Sequence, residues 1–396
     1  MKNKLPKCSR RAFLRLGMGL AAGAPLALSA GCGGEQLENP PGNRPPSYRT
    51  DAKVAIVSCR TYGTDEVKGA LRQSFDLLGG IHTLVNGKTV TVKVNLTCGG
   101  YFERQFNRSP GESYITHGAT VIALSSLLLA EGAQRVRIVE SAPFTEPMEQ
   151  FLSWAEWDVQ TLLALGNVEL ENTRNLGIGQ SYARLQVPTG GYLFSYFELN
   201  HSYRDTDVFI SLAKMKQHLT AGVTLSMKNL FGITPNSLYG DKAPSEDALS
   251  WRGPLHGDGG GWGSVPLPGA RQDRNPDGPG FRVPQVVADL CVARPVDLAI
   301  IDGITAMSGG EGPWAPNAAL TTPGVLIAGL NPVSTDAVGV AVMGYADPRA
   351  TRGAPPFGNC DNHLLLAEQA GVGLADLSRI DVRGLTIQDA RYPYSS

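Results

Sequence analysis

The sequence predicts an α/β protein, a mainly parallel sheet with helices on both faces. Three observations predict it. Runs such as "KVAIVSC" (53–59) and "DVFISLA" (207–213) are apolar throughout, as strands covered on both faces are. Runs with helical apolar spacing alternate with them, and Gly- or Pro-bearing connections divide the two kinds. The chain has 396 residues, 42% of them hydrophobic, enough for one large core or two modest ones. One body, or two lobes with a cleft at the strand C-terminal ends, both remain open.

In chain order, residues 1–32 read as a twin-arginine, lipoprotein-type signal. Arg10 and Arg11 precede Phe13 and Leu14, a Gly/Ala/Leu run follows to Ala30, and "LSAGCGG" offers Cys32 for acylation. An ordinary secretory signal containing two arginines is the competing reading. The apolar run is short for a membrane span. The expectation is therefore export by the twin-arginine route to the periplasm or cell envelope, with membrane contact only through a lipid on Cys32. Residues 33–50, polar and Pro-rich, read as a tether reaching about 55 Å if extended.

The body is residues 51–396. A strand at 53–59 leads to the helix "TDEVKGALRQSFDLLGG" (64–80), closed by glycine. A strand "KTVTVKVNL" (88–96), a helix at 115–133 and a strand at 135–141 follow. The strand 207–213 then gives way to an expected helix "TAGVTLSMKNLFG" (220–232), with Thr220 as its N-cap. "DLAIIDG" (297–303) and "GVLIAGL" (324–330) are strands, and "STDAVGVAVMG" (334–344) is a helix. The Gly/Pro-rich loop at 244–284 is too long for an ordinary connection and is either a lid or an idle insertion.

Composition excludes several classes. A net charge of −1 without a basic tail or stripe argues against nucleic acid as a partner. Past the signal, Cys59, Cys98, Cys291 and Cys360 show no C-x-x-C spacing, so no Fe–S or zinc-ribbon motif is present; a disulfide is open, its pairing undetermined. No Walker loop, dinucleotide fingerprint, G-x-S-x-G or H-E-x-x-H occurs, which disfavours the familiar hydrolases.

Polar residues gather at the predicted strand ends, where open α/β sheets bind ligands. Lys93 and Asn95 end one strand and Glu140 another; Lys214, Lys216 and His218 follow "DVFISLA", and Asp302 ends "DLAIID". In extended chain, alternate residues project to one side, so Lys214, Lys216 and His218 would face one cleft. Two like charges about 5 Å apart repel by roughly 3 kcal/mol at an effective dielectric near 20, which an anion or carboxylate would relieve. Lys228 shares the expected helical face with Thr224; a lysine before Gly232 is also favoured by the helix dipole alone. Asp302 before Gly309, Gly310 and Gly312 suits a metal or ligand hydroxyls, or a tight turn; Asp336 is a ligand or a first-turn helix acid. His117 and His363 are further candidates, His117 also as a cap, whereas His82, His201 and His256 show no usable pattern.

The blocks "VKVNL", "DVFISLAKMKQHLTAGVTLSMKNLFGI", "DLAIIDGITAMSGGEGP", "IAGLNPVSTDAVGVAVMG" and "DNHLLLAEQAGVGLADLSRIDVRG" resemble, in order and style, the domain of unknown function 362 family. The likeness runs from about Lys53 to Gly384, and K-x-K-x-H…T-x-x-x-K-N is its most specific part. It implies a site made of Lys93, Asn95, Lys214, Lys216, His218, Thr224, Lys228, Asn229, Asp302, Gly312, Pro313 and Asp336. The four-cysteine segment of many members is missing, which weighs against electron transfer by this chain itself. More distantly, the lysines and histidines are similar to those of racemases that use a nickel-pincer nucleotide, an analogy only.

Together these observations give an expectation of a small anionic ligand, or an anionic or metal cofactor of unidentified kind. His218, Lys216 and Lys228 would do acid–base work of redox or isomerase type. Lys93, Asn95, Lys214, Thr224, Asn229, Gly310 and Gly312 would hold the cofactor, and Asp302 and Asp336 a metal. The alternative is a non-catalytic binding lipoprotein, or an accessory partner of a membrane redox complex; no protein partner can be named.

Overall fold

The computed structural model describes residues 52–97, 104–142, 146–188, 190–247, 252–257, 267–274 and 278–394. The signal, Cys32, the tether and Cys98 lie outside the described residues.

The strands are β1 (Lys53–Ser58), β2 (Thr89–Lys93), β3 (Arg135–Glu140), β4 (Val168–Asn172), β5 (Tyr182–Gln186), β6 (Tyr196–Asn200), β7 (Val208–His218), β8 (Gly222–Thr224), β9 (Leu298–Ser308), β10 (Ala319–Thr321), β11 (Val325–Gly329) and β12 (Asp381–Gly384). The main sheet runs β12-β1-β11-β9-β7-β2-β3-β4, with β10 paired to β9 and β8 to β7. Along that path β11 alone runs against its neighbours, so the sheet is mainly parallel. β5 and β6 form a separate antiparallel hairpin.

Both faces of the sheet are covered, as the unbroken apolar runs require. Along β7, Val208, Ile210 and Leu212 enter the core shared with the helices Thr64–Leu78 and Gly118–Ala130. Phe209 and Met215 point the other way, into the core shared with the helices Pro279–Ala293 and Pro332–Val342. This period of two decides which face each polar residue of β7 and β9 reaches. The body forms one compact unit and not two lobes.

Two expected boundaries move. The helix expected at 220–232 is absent: the segment makes β8, then a short 3-10 turn at Lys228–Ile233. Gly222 takes φ +76° beside Val223 and Thr224, β-branched residues that favour strand, and the Asp336 carboxylate captures the amides of Ser226 (2.9 Å) and Met227 (2.8 Å) that a helix would have used. Thr220 therefore caps nothing, and Thr224 does not share a helical face with Lys228; it pairs across the ladder with Lys216. Likewise β7 and β9 continue through Lys214–His218 and Asp302–Ser308, so Lys214, Lys216 and Asp302 lie inside strands and not beyond their ends. Ile304 and Thr305 sustain β9 past Gly303.

Candidate functional site

A lysine ammonium carries three hydrogens, and the partners of those hydrogens sort the lysines here. Lys93 donates to Val94 O (2.7 Å) and Asn229 Oδ1 (3.3 Å) and pairs with Glu140 (2.7 Å). Lys214 donates to Tyr62 Oη (2.5 Å), Gly111 O (2.7 Å) and the Asp302 carboxylate (3.4 Å). Lys216 donates to Tyr114 O (2.6 Å), Glu311 O (2.6 Å) and Asn95 Oδ1 (3.5 Å). Each ammonium is thus spent as a staple, tying the loops that follow β2, precede the helix Gly118–Ala130 and follow β9 to the sheet. Burial pulls all three below the ordinary lysine pKa, and the oxygens around each favour the charged form in return.

Lys228 is different. It is 9% exposed, and no described residue accepts a hydrogen bond from its Nζ, which rests 4.4 Å from the centre of the Phe231 ring. Burial brings its pKa down to about 7; Glu311 opposes the shift, and Arg252 and Lys93 add to it. His363 lies close enough for the Lys228 charge to depress its titration, to about 3, though burial does most of this. Both His363 ring nitrogens are buried without a partner, as is Thr224 Oγ1.

His218 joins the same group. Its Nδ1 accepts from the Thr220 amide at 3.1 Å, which places the ring proton on Nε2. Burial holds its pKa well below the usual histidine value, reinforced by Lys228, Lys216, His256 and His363. Glu311 lies 3.8 Å from that ring and accepts from the Leu219 amide (3.0 Å) and the Trp314 indole (3.1 Å). Arg252 and His256, from the 244–284 loop, complete the wall. The Arg252 guanidinium donates to Thr234 O (3.0 and 2.9 Å), and His256 meets Phe231 edge-on at 4.8 Å. Residues 252–257 of that loop are therefore part of the site, and no sequence signal marked Arg252.

The remaining candidates resolve into structural work. Asn229 Nδ2 donates to Lys93 O (3.1 Å) and Ser211 Oγ (3.1 Å), sewing β2 to β7. A side chain on Gly310 would meet Ala315 at 2.4 Å, and one on Gly312 the Trp314 ring at 2.2 Å, so these glycines make room within their own turn. Asp302 and Asp336, the residues expected to hold a metal, are each engaged by protein groups. Asp302 Oδ1 accepts from Tyr62 Oη (2.9 Å) and the Ile304 amide (3.1 Å), its Oδ2 from Thr120 Oγ1 (3.3 Å) and Lys214. Asp336 takes the two amides and the Ser226 hydroxyl, with burial raising its pKa to about 7. The helices they contact cover opposite faces of the sheet, so the two carboxylates cannot share an ion. Among the described residues no three His, Cys, Asp or Glu are grouped to hold a metal. A cavity of about 520 Å³ beside Tyr62, Arg60 and Arg108 lies on the Lys214 side and is separate from the Lys228 group. Cys59, Cys291 and Cys360 are buried and free.

Fold and site together define an α/β protein with a buried Lys/His/Thr cluster at the end of its central strand. Residues 90–341 match the family described as "Domain of unknown function (DUF362)". The chain belongs to this family; the match is narrower than the 53–384 likeness seen by eye. A thylakoid-associated protein of Synechocystis is 28% identical over 192 residues, which are 47% of this chain and 51% of that protein; the chain thus spans about half that relative's length. A crystal structure of a Thermotoga maritima protein overlaps 65% of this chain and 54% of its own, with 14% identity and a TM-score of 0.33. A lactate racemase apoprotein from Thermoanaerobacterium thermosaccharolyticum overlaps 70% and 55%, with 15% identity and a TM-score of 0.34.

Proposed function

We propose that this protein binds a small anionic ligand where Lys228, Thr224, His218 and His363 meet. One observation carries the reading: both ring nitrogens of His363, which proteins almost always satisfy when buried, lack a partner, within reach of the charge on Lys228, whose Nζ is hydrogen-bonded to no described residue. Leaving such groups bare costs about 1–3 kcal/mol each, and a ligand with anionic oxygens supplies what they lack. His218, neutral and protonated on Nε2, is suited to donate a hydrogen bond to that ligand. We extend the reading to an enzyme of isomerase or redox type. Export and a lipid on Cys32 belong to the same proposal, supported by the Arg10–Arg11 pair and the "LSAGCGG" stretch.

The test is thermal unfolding of the folded protein with sulfate, phosphate and small carboxylates, beside Lys228→Met. A carboxylate or oxyanion should stabilise the wild type and not the variant. If no anion shifts the wild type, the reading falls; stabilisation without any conversion of the bound compound leaves ligand capture and removes the enzyme. Fractionation of cells carrying Arg10→Lys with Arg11→Lys tests the export route, with retention in the cytoplasm as the expected result.

A further inference from the structure

We propose that Lys228 is an imine-forming lysine and that the ligand is a small oxo acid, whose carbonyl carbon its amine attacks. The proposal rests on the anion reading above and names its chemistry. Nucleophilic attack needs a nitrogen lone pair free to point at a carbon, and a lysine whose three hydrogens are held by oxygens does not offer one. That condition excludes Lys93, Lys214 and Lys216, each ringed by three acceptors. Lys228 meets it, since its Nζ faces the Phe231 ring and no described residue pairs with it. A desolvated lysine beside other cations is the setting that frees an amine near neutral pH, and with its pKa near 7 a large fraction of Lys228 is unprotonated there.

The neighbours fit the rest of such a molecule. The unpartnered Thr224 hydroxyl and His363 ring offer donors to a carboxylate, and Arg252 contributes positive charge to the same site. In the step, the Lys228 nitrogen forms a bond to the carbonyl carbon, giving a carbinolamine. The carbon–oxygen bond then breaks, and oxygen leaves as water with one proton from the nitrogen and one from solvent, while His218 Nε2–H can donate a hydrogen bond to the departing oxygen. A C=N bond remains, nothing is oxidised or reduced, and no further reactant is consumed.

The test incubates the folded protein with pyruvate and sodium borohydride, followed by proteolysis and mass mapping. Borohydride reduces the C=N to a stable secondary amine, so the adduct adds the mass of pyruvate less one oxygen. The expected result is an adduct on Lys228, forming faster as pH rises through about 7 and absent from Lys228→Arg. Mapping the wild type alone decides the point should the variant not fold. Stabilisation by pyruvate without an adduct on Lys228 overturns the imine and leaves the anion site standing. Adducts scattered equally over surface lysines in wild type and variant also overturn it. Neither stabilisation nor adduct with any small oxo acid removes both readings.

Discussion

Replacing Lys214 by Met tests whether the β7 lysines are staples. Lys214 and Asp302 are both fully buried, 3.4 Å apart on adjacent strands, with Tyr62 Oη and Gly111 O completing the ammonium's partners. Methionine roughly conserves volume, so the cavity contribution should stay small. The charge contribution does not: removing one member of a buried pair leaves the other uncompensated and costs about 3–5 kcal/mol. Gly111 O, orphaned at the same time, adds to this within the same range. Lys214→Met should therefore lose about 3–5 kcal/mol in urea unfolding with an unchanged m-value. Asp302→Asn, which removes the carboxylate charge, should cost comparably, and the double variant should recover at least about 1 kcal/mol relative to the sum of the singles. A loss below about 1 kcal/mol in Lys214→Met, or additivity within about 0.5 kcal/mol, would refute the argument and return Lys214 to the ligand-binding set.

Other outcomes follow from the same geometry. Asp289 accepts the amides of Tyr192 (2.6 Å), Leu193 (2.7 Å) and Phe194 (2.9 Å), so Asp289→Ala should cost at least about 2 kcal/mol in chemical unfolding by orphaning them. Gly222 sits at φ +76°, and a β-carbon there would lie 2.8 Å from Phe357. Gly222→Ala should lose about 1–3 kcal/mol, read by the same unfolding, and disturb the Phe357–His363 contact. Anion affinity should depend on pH with a definite sign. Lys228 is charged below about 7 and neutral above, so sulfate binding by titration calorimetry should weaken as pH rises through that value, by up to about tenfold per unit. The dependence should vanish in Lys228→Met.

The architecture was legible because strands buried on both faces announce themselves as unbroken apolar runs, and β1, β7, β9 and β11 all lie where such runs occur. The gathering of Lys93, Lys214, Lys216, His218 and Lys228 was legible as a list. Its division was not. Whether a lysine is a staple or a free amine depends on carbonyls such as those of Tyr114 and Glu311, which lie about a hundred residues from Lys216 and leave no trace beside it. The 220–232 segment was misread for the same reason, since the carboxylate that takes its amides is Asp336, distant in the chain. Asp302 at an expected strand end and Asp336 at an expected helix start were each legible as candidates, but position along a chain does not say which face of a sheet a residue reaches.

The placing of β1 governs how the chain can be made. Its two ladders come from β11 and β12, both beyond residue 324, so the first strand of the body has no strand partner until that part of the chain has been made. The middle of the molecule waits too, because the loop that Lys216 ties down and the carboxylate that Lys214 meets both belong to residues past 301. A nascent chain shorter than that carries bare strand edges and unanswered lysines, the features that invite mispairing and chaperone capture. Assembly of β1 is thus deferred until residues 325–384 have been made, and deleting β11 or β12 should damage the first strand of the body as much as the segment removed.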